Sequence, residues 1–129
     1  MEVDVAAGYR TVQDVDDMIV KIRGVFATVP EPTRIVIVAD WSACGLFTPE
    51  VSARAVAMLT ASNTRIERSG ILHRSTQPTS VLQVFRLIRE AEATSYRQVF
   101  TASSPLCAFL DEVLNPAEQE RLRVFLKRR

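Results

Sequence analysis

The chain predicts a single α/β domain, residues 1–129, with a mainly parallel central sheet of about four strands and about five helices. Three observations carry that expectation. Short β-branched apolar runs alternate with longer stretches of helical periodicity. The strands open roughly 30 residues apart, the size of a strand–helix–strand unit. No internal repeat, low-complexity stretch or long linker divides the chain.

The elements follow in order. Residues 2–7 alternate Val3 and Val5 with Glu2 and Asp4, which fits an edge strand. From Thr11 the residues Val15, Met18, Ile19, Ile22, Val25 and Phe26 recur at three- and four-residue spacing, the stripe of an amphipathic helix. Thr11 is its expected N-cap, with Asp14 three residues on. Pro30 and Pro32 close the segment. The run 34–39 is apolar on both faces, as a central strand covered on both sides requires, and Asp40 ends it. Thr48-Pro49-Glu50 supplies an N-cap, an N1 proline and a first-turn acid for a second helix. Val51, Ala55, Met58 and Leu59 form its buried stripe, and Asn63 closes it in a left-handed conformation.

A strand over 66–73 contains Gly70, and a helix over 78–93 buries Val81, Val84, Phe85 and Ile88. A short strand follows at 96–101. Ser104-Pro105 caps a fourth helix through Leu106, Phe109, Leu110 and Val113, and Asn115-Pro116-Ala117-Glu118 starts a fifth with the face Leu122, Phe125, Leu126. Close packing is the expected reason for Gly24 and Gly70.

Composition excludes several function classes. Sixteen Lys and Arg against fifteen Asp and Glu leave a net charge of +1, with no overall field for nucleic acid or anionic lipid. The last nine residues carry Arg121, Arg123, Lys127, Arg128 and Arg129, which suits a helix C-terminus, and no stacking aromatics are spread among the charges. Only Cys44 and Cys107 are present, outside any zinc or thioredoxin-type spacing, so no metal is expected. No stretch resembles an export signal or a membrane span, which points to a cytoplasmic protein with reduced thiols.

No nucleotide cradle of the G-x-G-x-x-G or G-x-x-x-x-G-K-[ST] type occurs, so no cofactor is expected. His73 is the single histidine, and an exposed place at a strand end is expected for it. A Ser/His/Asp set drawn from Ser42 or Ser75, His73 and Asp40 lacks a nucleophile elbow, and the chain is expected not to be an enzyme. The remaining candidate surface is the segment 40–47 beyond the central strand, where ligands tend to meet open α/β sheets. Two alternatives stand for Trp41, a docking hot spot or a core side chain. Phe47 is expected to be core.

The phrases Ile35-Val-Ile-Val-Ala-Asp40, Gln83-Val-Phe-Arg-Leu-Ile88, Val99-Phe-Thr101 and Ala108-Phe-Leu110, with the order of elements, resemble the STAS domain. This is the fold of anti-sigma-factor antagonists, and the likeness is to its SpoIIAA-like bacterial branch. It implies that fold and a tendency to bind partner proteins. In that family an Asp-Ser-Ser-Gly-like phrase opens the second helix, and phosphorylation of its serine breaks partner binding. Here Thr48-Pro49-Glu50-Val51 occupies that turn without a serine, so Thr48 is the one candidate for phosphorylation, in competition with its capping role.

The expected function is a regulatory or scaffold module docking a partner protein through Asp40, Trp41, Leu46, Thr48 and Glu50, a second copy of the chain being one such partner. The alternative is a carrier of a small apolar ligand. A large closed cavity lined by Met18, Phe26, Met58 and Phe85 would mark the carrier, and a flat or convex apolar patch the docking module.

Overall fold

A computed structural model describes residues 1–5, 8–74, 77–92 and 95–127. In chain order the elements are β1 (Glu2–Asp4), α1 (Val12–Phe26), β2 (Ile35–Asp40), α2 (Pro49–Ser62), a 3₁₀ turn (Asn63–Arg65), β3 (Ile66–Leu72), α3 (Pro78–Glu90), β4 (Arg97–Phe100), α4 (Ser103–Asp111) and α5 (Pro116–Lys127). The expected residues Ala6, Ala7, Ser75, Ala93, Arg128 and Arg129 lie outside the described residues.

Local chemistry starts the helices where the side chains dictate. The Asp14 amide donates to Thr11 Oγ1 at 3.2 Å and the Thr11 amide to Asp14 Oδ2 at 3.1 Å, a reciprocal capping box. The Val51 amide donates to Thr48 Oγ1 at 3.3 Å, with Pro49 following the cap. Asn115 and Glu118 exchange two bonds of 2.9 Å at the start of α5.

The four strands are all parallel and lie in the order β1-β2-β3-β4. Each crossover therefore steps the same way across the sheet, and a common right-handed sense places α1, α2 and α3 on one face. α1 packs against α2 and α2 against α3, while α4 covers β3 and β4 from the other side and α5 packs on α4. Strand alternation divides the apolar residues accordingly. Ile35, Ile37, Ala39, Ile71 and Val99 belong to the core under α1–α3. Val38 and Leu72 join Leu106, Leu110, Leu122, Phe125 and Leu126 in the second core. Gly70 lets α4 approach, since a Cβ there would stand 3.2 Å from Leu106 Cγ and 3.3 Å from Leu110 Cδ1.

Several expectations are corrected. Asn63 is right-handed, at φ −54° and ψ −39°, and opens the 3₁₀ turn. Its Nδ2 donates to Ala91 O at 2.8 Å, tying the end of α2 to the end of α3. On α3 the buried set is Ser80, Gln83, Val84, Leu87 and Ile88, so the apolar face is turned and Phe85 is 53% exposed. α4 begins one residue before Ser104, with Ala102 as N-cap and no side-chain cap bond. Ser103 instead accepts a hydrogen bond from the Arg74 guanidinium. Gly24 faces open space and Val25 is exposed, so both lie off the face by which Ile22 and Phe26 pack against the core. No helix among the described residues is long and apolar enough to cross a membrane.

Candidate functional site

The segment 40–48 is built outward from β2. The Trp41 amide donates to Leu72 O at 2.8 Å, extending the β2–β3 ladder by one residue. Alternation then sends the Trp41 side chain to the face already taken by Ile37 and Ala39. Trp41 is 2% exposed, with Tyr9 edge-on at 5.4 Å and Phe47 tilted at 6.4 Å, so an aromatic trio closes the end of the first core. Asp40 is also buried, and its Oδ1 accepts from the Ser42 amide at 2.9 Å, turning the chain away from the sheet. Trp41 is thus a core side chain, and neither it nor Asp40 presents itself to a partner.

Gly8 and Tyr9, ahead of α1, lie directly against this loop. Gly8 has φ +75°, and a Cβ there would stand 2.8 Å from Ala43 O, so glycine is required on both counts. Burial pushes the Cys44 thiol up to about 12, against a lowering by the Tyr9 backbone amide, which makes it a poor nucleophile. Burial likewise raises the Tyr9 hydroxyl well above its ordinary range.

Gln83 of α3 holds the outer part of the loop. Its Oε1 accepts from the Phe47 amide at 2.7 Å and its Nε2 donates to Gly45 O at 3.0 Å. The amide thereby grips the backbone on both sides of Leu46, whose side chain stands in solvent, 68% exposed. Leu82 beside Gln83 and Phe85 one turn on are exposed at 64% and 53%. Thr48 and Glu50 are exposed at the start of α2. Of the five expected docking residues, Leu46, Thr48 and Glu50 are exposed, while Asp40 and Trp41 are buried. Sequence reasoning missed Gln83. Its signal is an amide at the centre of the α3 apolar stripe, because a buried amide demands backbone partners.

His73 corrects the expectation of an exposed imidazole. It is fully buried, and neither ring nitrogen makes a hydrogen bond of good geometry, the Cys44 and His73 carbonyls lying near but poorly placed. Burial lowers its pKa below the ordinary 6.5, outweighing the opposing Cys44 and His73 carbonyls and Asp40. Its amide donates to Phe100 O at 2.8 Å, so His73 continues the β3 ladder into the interior. Ser42 Oγ accepts from the Arg74 amide at 3.0 Å. Ser42, His73 and Asp40 thus form no nucleophile–base–carboxylate chain. Among the described residues, no group of three or more His, Cys, Asp or Glu side chains is placed to hold a metal.

The strand order also bears on ligand binding at this edge. A sheet ordered β1-β2-β3-β4 has no reversal, hence no switch-point crevice beyond its strand ends. The enclosed cavity that would mark a carrier is not seen among the described residues. Phe26 and Met58 border a groove of about 60 Å³ between α1 and α2, and Phe85 faces solvent on α3. Small-molecule pockets begin near about 300 Å³. A cleft of about 490 Å³ lies elsewhere, between the β1–β2 edge and α5, and its three glutamates and two arginines leave it without a dominant charge. Comparison with protein-family models, with curated proteins and with solved structures returned no match for this chain.

Proposed function

We infer that the domain is a cytoplasmic, non-enzymatic regulatory or scaffold module that docks a partner protein on Leu46, Thr48 and Glu50 with Leu82 and Phe85 of α3. The observation that carries this reading is the Gln83 grip on residues 45 and 47. A buried amide is committed to holding the loop with the Leu46 side chain out of the core, and Leu82 and Phe85 of α3 are exposed as well. Large apolar side chains gathered at one place on a surface favour contact with another protein. Arg86 and Arg89 follow Leu82 by four and seven residues on the same helical face and supply a polar rim. The resemblance to the STAS domain of bacterial anti-sigma-factor antagonists supports the same role. The carrier reading has less support, because the groove between α1 and α2 is far smaller than an enclosed ligand pocket.

A photo-crosslinking amino acid placed at position 46 or 82 in the native cell tests this function. One adduct of the same mass is expected from both positions, and a mass of two chains would identify the partner as a second copy. Leu46→Asp and Leu82→Asp should each abolish the adduct while shifting the melting temperature by less than about 2 °C, as exposed substitutions do. An adduct that survives both substitutions, or no adduct from either position, would overturn the reading.

A further inference from the structure

Arg97 opens β4 and turns into the layer between the sheet and α1–α3, where it is 5% exposed. Its Nη1 donates to Ser69 Oγ at 3.3 Å and its Nη2 to Ser62 Oγ at 3.2 Å, both long. Its Nε has no partner, and no carboxylate pairs with it among the described residues. Burial draws its pKa down to about 10, with Tyr96 opposing the shift. Ser62 ends α2 and donates to Leu59 O at 3.0 Å, so the guanidinium stands by a helix C-terminus whose dipole favours a cation. That dipole eases the burial of the charge but supplies no acceptor for Nε. A buried guanidinium normally has an anion opposite it.

The space in front of Arg97 has room for that anion. A void of about 30 Å³ is bounded by Arg97, Ser62, Ser69, Trp41 and Met58. It adjoins the 60 Å³ groove between α1 and α2, because Ile22, Met58 and Ser62 border both. The way in from the surface is therefore mainly apolar, past Phe26, Ile22 and Met58 with Arg23 at its rim, and the inner end is cationic with two hydroxyls. We propose that Arg97 and Ser69 bind the head of a short-chain monocarboxylate, with Ser62 steadying the guanidinium, and that its alkyl tail lies between Ile22 and Met58. The carboxylate accepts from Nε and Nη, the paired geometry a guanidinium offers, and the Ser69 hydroxyl is free to turn its proton toward it. The inner void holds about one or two waters, which the head displaces. The tail lies along the open groove with one side in solvent, so the site needs none of the enclosure that a carrier pocket requires. This site shares no residue with the docking surface, so each stands or falls alone.

Titration of the full chain with sodium hexanoate, against 1-hexanol and sodium chloride, tests the site. Trp41 is the single tryptophan and borders the void, so its fluorescence reports occupancy directly. Hexanoate should give a saturable change and raise the melting temperature. Arg97→Met should keep the fold, since exchanging a buried unpaired charge for an apolar side chain is neutral or stabilising, and weaken hexanoate about tenfold or more. Ser69→Ala should weaken it a few-fold and serves if Arg97→Met does not fold. No saturable response, an equal response to hexanol, or hexanoate binding unchanged in these variants would overturn the site. A response to chloride matching that to hexanoate would remove the tail from the proposal and leave an inorganic anion.

Discussion

Trp41→Ala separates a core role from a docking role. The indole is 2% exposed, meets Tyr9 edge-on at 5.4 Å and Phe47 at 6.4 Å, and borders a void of about 30 Å³. Truncating a buried tryptophan to alanine costs about 3–5 kcal/mol. The upper part of that range applies, because the new cavity merges with the existing void and two aromatic contacts are lost. Domains of this kind are stable by about 5–15 kcal/mol, so a large share of the total is at stake. With an unfolding entropy near 2.1 cal/mol/K per residue, each kcal/mol moves the melting temperature by about 4 °C at this length, and the expected fall is about 15 °C. Circular dichroism melts and urea titrations measure it. Leu46→Ala is the control, expected within about 0.5 kcal/mol of wild type because its side chain is 68% exposed. A Trp41→Ala melting temperature within about 3 °C of wild type would refute the packing argument.

Thr48→Ala removes the oxygen that accepts the Val51 amide, and urea unfolding should show a loss of about 1 kcal/mol. Thr48→Asp keeps an acceptor at the same cap and should hold its stability; tenfold weaker partner binding by that variant, about 1.4 kcal/mol, would show that charge at Thr48 acts as a switch. His73 makes stability depend on pH in a defined direction. Its folded-state pKa lies below 6.5, so the unfolded chain takes up the proton first. Stability is full above about pH 6.5 and declines as pH falls toward the folded-state value, by at most about 1.4 kcal/mol per pH unit. Asp14 and Asp111 have pKa values lowered from 3.8, and their contributions are lost only at lower pH. Thermal melts from pH 7 to pH 5 should show the decline in wild type and not in His73→Leu; equal slopes would exclude His73 as its source.

Much of the fold was legible because it rests on chemistry a few residues wide. Thr11 with Asp14, Thr48 with Pro49 and Asn115 with Glu118 mark helix starts through bonds that close within one turn. The run ending at Asp40 is a central strand because its residues are apolar on both faces, and both faces are covered. The 30-residue alternation of strand and helix implied parallel crossovers, and Gly70 marked a close helix approach. Within the candidate site, Thr48 and Glu50 were placed at the start of α2 by the same local logic.

Other features depended on contacts between distant segments. Trp41 was legible as core or as docking surface until the bond from its amide to Leu72 O fixed which way the side chain points. His73 and Phe85 exchanged their expected environments, because periodicity defines a helical or strand face but not which neighbour covers it. Gln83 and Arg97 look like ordinary polar residues in the sequence. They gained their roles when α3 met the loop at residues 45–47 and when β4 came to lie beside Ser69 with Ser62 above it. By itself the sequence determined the main elements, their order and the N-caps of α1, α2 and α5, since those energies act within a turn or two of chain. Only the tertiary structure decided which faces were covered and which polar atoms were left facing one another, because burial and desolvation depend on every segment that closes over a residue.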